Sequence, residues 1–240
     1  MMKRAISLFT TLCAAAAMLV LSLILIPLSL LAGLFGWKAR MAVSHFFRSF
    51  LARVAFWGTL SRLRVRGVEN IPKRESFVVF ANHSSFFDIS VLSGFPFRKA
   101  SFLGRKELIT WGPIGLWILV CGGELVERRG TRKELKRVLR VVSRIKNGLS
   151  FIIFPEGTRS VTGELGPFRR GSLKIPMKAG AKLLPVRLEG TRDLLPRGVA
   201  FPTPADVTVY IGKPISPREI REDAEEVIER LREFLSAKEH

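Results

Sequence analysis

From Ala5 to Trp37 the chain carries no charged residue, and an α-helix needs only about 20 consecutive apolar residues to cross the hydrocarbon core of a bilayer. Such a run must be covered by protein or placed in lipid. A cleaved signal peptide competes with an anchor, because Lys3 and Arg4 precede the run. The run outlasts a signal-peptide apolar region of roughly 7–15 residues, however, and Pro27 interrupts it. An anchor is the better account. Lys38, Arg40, Arg48 and Arg53 follow the run while only Lys3 and Arg4 precede it, so the positive-inside bias places the remainder of the chain in the cytoplasm. That holds whether the segment spans or turns back at Pro27. Val43, Phe46, Phe47, Phe50, Leu51, Val54 and Trp57 then recur at three- and four-residue steps, with Arg40, Ser44, Arg48 and Arg53 mostly elsewhere on the wheel. This predicts an amphipathic helix over 40–57 that packs on the globular part or lies in the headgroup plane. Residues 1–58 are read as a membrane-associated helical segment and 59–240 as a folded domain.

Lys and Arg number 39 against 20 Asp and Glu, a formal net charge of +19. An excess of that size calls for a polyanionic partner, whether nucleic acid, phosphate-bearing metabolites or anionic lipid. A mean hydropathy of +0.22 favours lipid. The 48% hydrophobic content excludes a disordered chain. Two cysteines, Cys13 and Cys121, exclude a disulfide scaffold and a cysteine-based zinc site.

Beyond residue 60, strand-like and helix-like segments alternate. Leu63 and Val65 alternate with arginines as in a half-exposed strand, while Phe77–Ala81, Phe151–Phe154, Leu183–Leu188 and Val207–Ile211 read as further strands. Thr131 with Glu134 forms a capping box, and Leu135, Val138, Leu139, Val142 and Ile145 keep helical spacing until Asn147-Gly148. Ser216, Pro217 and Glu219 open a last helix whose stripe runs from Ile220 to Leu235. The economical arrangement is an α/β fold, a largely parallel sheet flanked by helices.

Of three histidines, His83 alone sits where chemistry is plausible, at a strand-to-helix junction with Asp88 five residues on. A carboxylate that folds back there can hold the imidazole tautomer and stabilise its protonated form, which is the requirement for a general base. Taken alone, in a generic sequence, such a pair is more often a turn histidine beside a solvated Asp. Ser84 and Ser85 lack a Gly-x-Ser-x-Gly elbow, so one of them is read as a helix N-cap. The second constellation is Phe154-Pro155-Glu156-Gly157-Thr158-Arg159-Ser160, directly after a buried strand. Gly157 permits close backbone approach, Thr158 and Ser160 offer hydroxyls, and Arg159 offers a planar fork suited to phosphate. Its bland counterpart is a charged turn with a Glu–Arg pair. Arg105-Lys106-Glu107 is a third candidate that could add positive charge at a phosphate.

Asn82-His83-Ser84-Ser85-Phe86-Phe87-Asp88 resembles the Asn-His-x4-Asp signature of the glycerolipid acyltransferases, and Phe154–Ser160 resembles their third motif. Gly122–Arg128 resembles the second motif, with Glu127 in place of the more usual Asp and Glu124 where an apolar residue is common. Leu184-Pro185-Val186 resembles the fourth, and Phe168–Gly171 the basic stretch after the third. The matches fall in the family's order across roughly residues 60 to 215. Within the family, the chain looks most like the bacterial enzymes that acylate 1-acylglycerol 3-phosphate.

The resemblance implies a glycerolipid-acyltransferase-like fold with N-terminal membrane-anchoring helices. It implies that His83, oriented by Asp88, deprotonates the free hydroxyl of lysophosphatidic acid as it attacks an acyl thioester of acyl carrier protein or coenzyme A, giving phosphatidic acid. Glu156, Gly157, Thr158 and Arg159 would hold the acceptor's phosphate, supported by Lys106 and Arg128. The donor is a co-substrate, so no cofactor is implied; His83 and Asp88 alone make too sparse a ligand set for a metal; and the partners are lipid and thioester rather than nucleic acid. The same chemistry on glycerol 3-phosphate or another lysolipid, and a non-catalytic basic membrane-tethered binding protein, are the competing expectations.

Overall fold

The computed structural model describes residues 2–127, 131–169, 171–196, 198–199 and 201–237. Two helices come first, α1 (Met2–Leu31) and α2 (Trp37–Trp57). The domain then runs β1 (Arg62–Arg66), β2 (Phe77–Ala81), α3 (Phe87–Gly94), β3 (Ser101–Arg105), α4 (Pro113–Val120), β4 (Glu124–Val126), α5 (Arg132–Lys146) and β5 (Phe151–Ile153). It ends with α6 (Lys174–Ala179), β6 (Lys182–Glu189), α7 (Thr191–Leu194), β7 (Asp206–Ile211), α8 (Pro217–Glu222) and α9 (Ala224–Ser236).

The described strands form one sheet in the order β1-β7-β6-β2-β5-β3-β4, parallel except between β6 and β7. Apolar side chains alternate between its two faces. Val79, Ala81, Phe102, Ile152, Leu184 and Val186 meet Phe56 of α2, Val91 and Leu92 of α3 and Ile118 of α4. Val78, Phe80, Phe151, Ile153 and Leu183 meet Val141, Val142 and Ile145 of α5 and Val227 and Leu231 of α9. Strands buried on both faces read as continuous apolar runs, which is why β2 and β5 are so plain in sequence.

Helix α1 continues through Pro27 to Leu31, and the chain reverses later, through a 3-10 turn at Ala32–Phe35 and Gly36 at φ +102°. A Cβ there would be strained in this left-handed region. The returning α2 lies against α1: Thr10 and Thr11 donate their hydroxyls to Gly58 O at 2.6 and 3.2 Å. Trp117 Nε1 of α4 donates to Ser22 Oγ at 2.9 Å, binding α1 to the domain as well. The stretch Leu8–Phe35 is long and apolar enough to cross a membrane, and only 11% of its window is buried in protein.

The structure refines three expectations. The domain-facing side of α2 is its small and polar side, with Ser44, His45, Arg48, Ser49, Ala52 and Ala55 buried, while Phe46, Phe50 and Trp57 of the aromatic stripe are exposed. Arg48 is tolerated inside because Nη1 donates to Ala100 O at 2.7 Å and Nη2 to Arg98 O at 2.9 Å. The last helix is two helices, broken at Asp223, whose extended backbone frees its Oδ1 to accept from Glu225 N and Glu226 N and cap α9. At the start of α3 the cap position is Phe86, with no side-chain bond, but Ser85 Oγ accepts from Phe87 N at 3.3 Å, and Asp88 Oδ2 takes Ser84 N and Ser85 N of the preceding turn.

Burial, with Arg48 and Lys99 nearby, holds the His45 pKa down at about 3. An unfolded histidine takes up its proton near about 6.5, so stability is fully present above that pH and falls as pH drops toward 3, by up to about 1.4 kcal/mol per unit. Melting curves between pH 7 and 4 should therefore show a steeper loss of Tm for the wild type than for His45→Leu; parallel slopes would contradict this.

Candidate active site

Strands β2 and β5 run parallel with Phe80 opposite Ile153. Three residues beyond that pair lie His83 and Glu156, so the two loops leave the sheet at one height, at its C-terminal end, where open α/β sheets bind ligands. The loops are tied accordingly. Glu156 Oε1 accepts from His83 N at 3.0 Å, and Ser160 N donates to His83 O at 2.7 Å. On the other side, Asn82 replaces a strand pairing with its amide: Nδ2 donates to Leu188 O at 2.9 Å and Oδ1 accepts from Leu188 N at 2.8 Å.

Asp88 is 0% exposed. Its Oδ2 accepts from Ser84 N and Ser85 N, each at 2.9 Å, and lies 2.7 Å from His83 Nδ1. An ionised carboxylate only accepts, so Nδ1 carries the proton and Nε2 keeps its lone pair. The imidazole is stacked on Phe154, with ring centroids 3.9 Å apart and planes 14° apart. Behind Phe154 come Phe102 at 6.4 Å and then the Arg48 guanidinium, 5.6 Å from the Phe102 centroid. His83 is thus fixed by a carboxylate at one edge and a ring on one face, with its side chain 14% exposed.

His83 borders two cavities. One, of about 250 Å³, is apolar and aromatic, lined by Phe86, Phe102, Ile118 and Phe154, with Arg105, Gly157, Thr158, Arg159 and Trp111 around it. The Arg159 guanidinium lies 5.7 Å from the Trp111 ring centroid, and Trp111 stacks on Phe86 at 5.9 Å. The other, of about 520 Å³, is polar and includes Asn82, Ser160, Arg187 and Arg192.

The structure thus brings together His83, Asp88, Gly157, Thr158 and Arg159. Glu156 lies among them but faces inward: Oε1 is taken by His83 N and Oε2 by Gly166 N at 2.8 Å, and burial raises its pKa. A carboxylate with both oxygens engaged by backbone is a strut between loops. Gly157 adopts φ +67°, and a Cβ there would stand 2.2 Å from Arg169 Nε, so Arg169 of the basic stretch packs on its bare backbone. Lys106 pairs with Glu127 at 2.5 Å, and its neighbour Arg105 is the residue that lines the cleft. Arg128 lies outside the described residues. Glu124, unusual by its motif, is buried and met by Arg140 at 2.8 Å and Arg144 at 3.0 Å. The sequence motifs assign no role to Asn82 or Phe154; a polar residue ending an apolar strand, and an aromatic following one, are the signals that mark them.

The family model described as Acyltransferase matches residues 62–189, and the chain belongs to that family. It is similar to the solved 1-acyl-sn-glycerophosphate (LPA) acyltransferase PlsC of Thermotoga maritima, with 30% identity and a TM-score of 0.79, covering 98% of this chain and 97% of that one. It is 32% identical over 176 residues to the chloroplastic 1-acyl-sn-glycerol-3-phosphate acyltransferase BAT2 of Brassica napus, covering 70% of this chain and 50% of that protein. The 1-acyl-sn-glycerol-3-phosphate acyltransferase of Pseudomonas aeruginosa is 31% identical over 166 residues, covering 67% of this chain and 63% of that one. The chain spans about half the length of the Brassica napus, Arabidopsis thaliana and Chlamydomonas reinhardtii relatives it matches.

Substituting Glu156→Gln leaves one of the two N–H donors facing an amide NH2. It should cost about 1–3 kcal/mol, the penalty of an unmet buried donor, read as a lower midpoint in urea; an unchanged midpoint would show that the carboxylate is no strut.

Proposed function

We propose that the protein transfers a fatty acyl chain from an acyl thioester to the 2-hydroxyl of 1-acyl-sn-glycerol 3-phosphate, giving phosphatidic acid. The observation that supports this most is the 2.7 Å contact between His83 Nδ1 and the buried Asp88 carboxylate at the end of an aromatic cleft bearing Arg159. His83 Nε2 takes the proton of the 2-hydroxyl as the oxygen attacks the thioester carbonyl carbon. Asp88 stabilises the imidazolium that forms. The tetrahedral adduct collapses, the C–S bond breaks, and the proton passes from His83 to the departing thiolate, releasing free thiol. Both substrates meet at His83, so no covalent acyl-enzyme is needed. Thr158, Arg159 and the backbone of Gly157 hold the acceptor's phosphate, with Arg105 in the same cleft and Lys106 and Arg128 as outlying cations; Glu156 braces the loop.

In this reading residues 1–58 associate with the membrane and 59–240 form the catalytic domain. Exposed apolar residues of α1, together with Phe46, Phe50 and Trp57, face lipid, and the domain sits at the cytoplasmic face of the inner membrane. The donor is acyl carrier protein or acyl coenzyme A, drawn by the net positive charge.

Purified protein in detergent, given either donor and lysophosphatidate, glycerol 3-phosphate or a neutral lysolipid, should form product from lysophosphatidate alone. His83→Ala should fold normally and form none. Transfer to a different acceptor would change the substrate assigned, and no transfer with any pairing from folded protein would overturn the reading. Arg159→Ala should raise KM for lysophosphatidate roughly 10- to 100-fold, the loss of one charge-assisted bond, with kcat little changed; an effect confined to the donor's KM would reassign that arginine.

A further inference from the structure

We propose that the outward face of α5 is the docking surface for an acidic protein that carries the acyl thioester, an inference that rests on the acyl-transfer reading above. Arg132, Leu135, Lys136, Leu139 and Lys146 follow one another at i, i+3, i+4, i+7 and i+14, and all are exposed. The leucines are the anomaly. By periodicity Leu135 and Leu139 belong with the core stripe, yet they are 56% and 45% exposed. The sheet instead takes Val138, Val141, Val142 and Ile145.

The helix is turned this way because β4 and the turn before it hold three of its arginines. Arg137 donates to Leu125 O, Arg140 pairs with Glu124, and Arg144 donates to Gly122 O and Gly123 O. What remains outside is a pair of leucines one turn apart within a helix of seven Lys and Arg and one Glu. Cations flanking a small apolar centre suit a partner with acidic residues around an apolar patch: charge steers the encounter and the leucines supply the dry centre.

Placement separates a soluble partner from anionic lipid. Helix α5 packs on the face of the sheet opposite α2, α3 and α4, against which α1 also lies. A bilayer covering the exposed residues of α1 is therefore on the far side from α5. Helix α5 also begins just beyond the C-terminal end of β4, which runs parallel to β3 and, through it, to β5 and β2. Its first turns, with Arg132 and Lys133, therefore stand at the same end of the sheet as His83.

The test compares the wild type with the charge reversal Arg132→Glu/Lys133→Glu/Lys136→Glu and with Leu135→Ala/Leu139→Ala, in detergent, with lysophosphatidate as acceptor. Acids at positions 132 and 133, in the first helical turn, favour the helix, and Lys136 is exposed one turn on, so the first variant keeps its fold. Each is assayed with acyl carrier protein and with coenzyme A as donor. For both variants KM for the carrier-borne donor should rise about tenfold or more while kcat and KM with acyl coenzyme A stay within about twofold, and binding to vesicles containing phosphatidylglycerol should be unchanged. Equal effects on both donors, or none, would overturn the proposal, as would loss of vesicle binding, which would make α5 a lipid contact. Wild-type turnover of acyl coenzyme A alone would overturn this proposal and leave the reaction standing; turnover of neither donor would overturn both.

Discussion

The site depends on one buried carboxylate oxygen. Asp88 Oδ2 collects Ser84 N, Ser85 N and His83 Nδ1 within 2.9 Å. Hydrogen bonds to a charged group contribute about 1.5–3 kcal/mol each, enough to dictate the path of a short loop. The loop folds back on the first turn of α3, and that reversal brings a histidine five residues earlier in the chain against the carboxylate. Orientation and charge stabilisation of the imidazole thus come from the same bond that shapes the backbone. The neighbouring loop after β5 is fastened to this one by Glu156 and Ser160, so the arginine and the histidine hold their mutual position through backbone rather than through long, mobile side chains.

The membrane-proximal helices are coupled to this centre by packing. Arg48 of α2, buried and bound to the carbonyls of Arg98 and Ala100, faces the ring of Phe102; Phe102 stacks on Phe154, and Phe154 on His83. A buried cation is costly unless its hydrogen bonds are met; here two carbonyls take Nη1 and Nη2 and a ring faces the guanidinium, while Nε has no hydrogen-bond partner. The helix that packs beside the long apolar α1 is therefore linked through these rings to the face of the imidazole.

How far this was legible follows from the range of each interaction. Strands β2, β5, β6 and β7 and the start of α5 could be read because a run of apolar residues or a Thr131–Glu134 cap is local. The His83–Asp88 pair was visible as a spacing, since both ends lie within one turn of chain. The inward side of α2 and the outward leucines of α5 could not be read locally. Arg48 meets carbonyls 50 and 52 positions away, so α2 turns a polar side inward, and Arg137 and Arg144 donate to carbonyls 12, 22 and 21 positions away, which sets how α5 is rolled on the sheet. Glu156 looked like a phosphate ligand because its partner His83 N lies 73 residues off, and Asn82 had no visible role because Leu188 lies 106 residues off.

The most direct test of the central claim is nitrogen NMR of the imidazole rings in 15N-histidine-labelled protein in micelles, where only His45, His83 and His240 contribute. The neutral His83 ring should show a protonated Nδ1 and a bare Nε2, and Asp88→Asn should abolish that preference while the other two rings stay unchanged. A His83 ring protonated on Nε2 in the wild type, or one indifferent to Asp88→Asn, would contradict the account of a base held by its buried carboxylate.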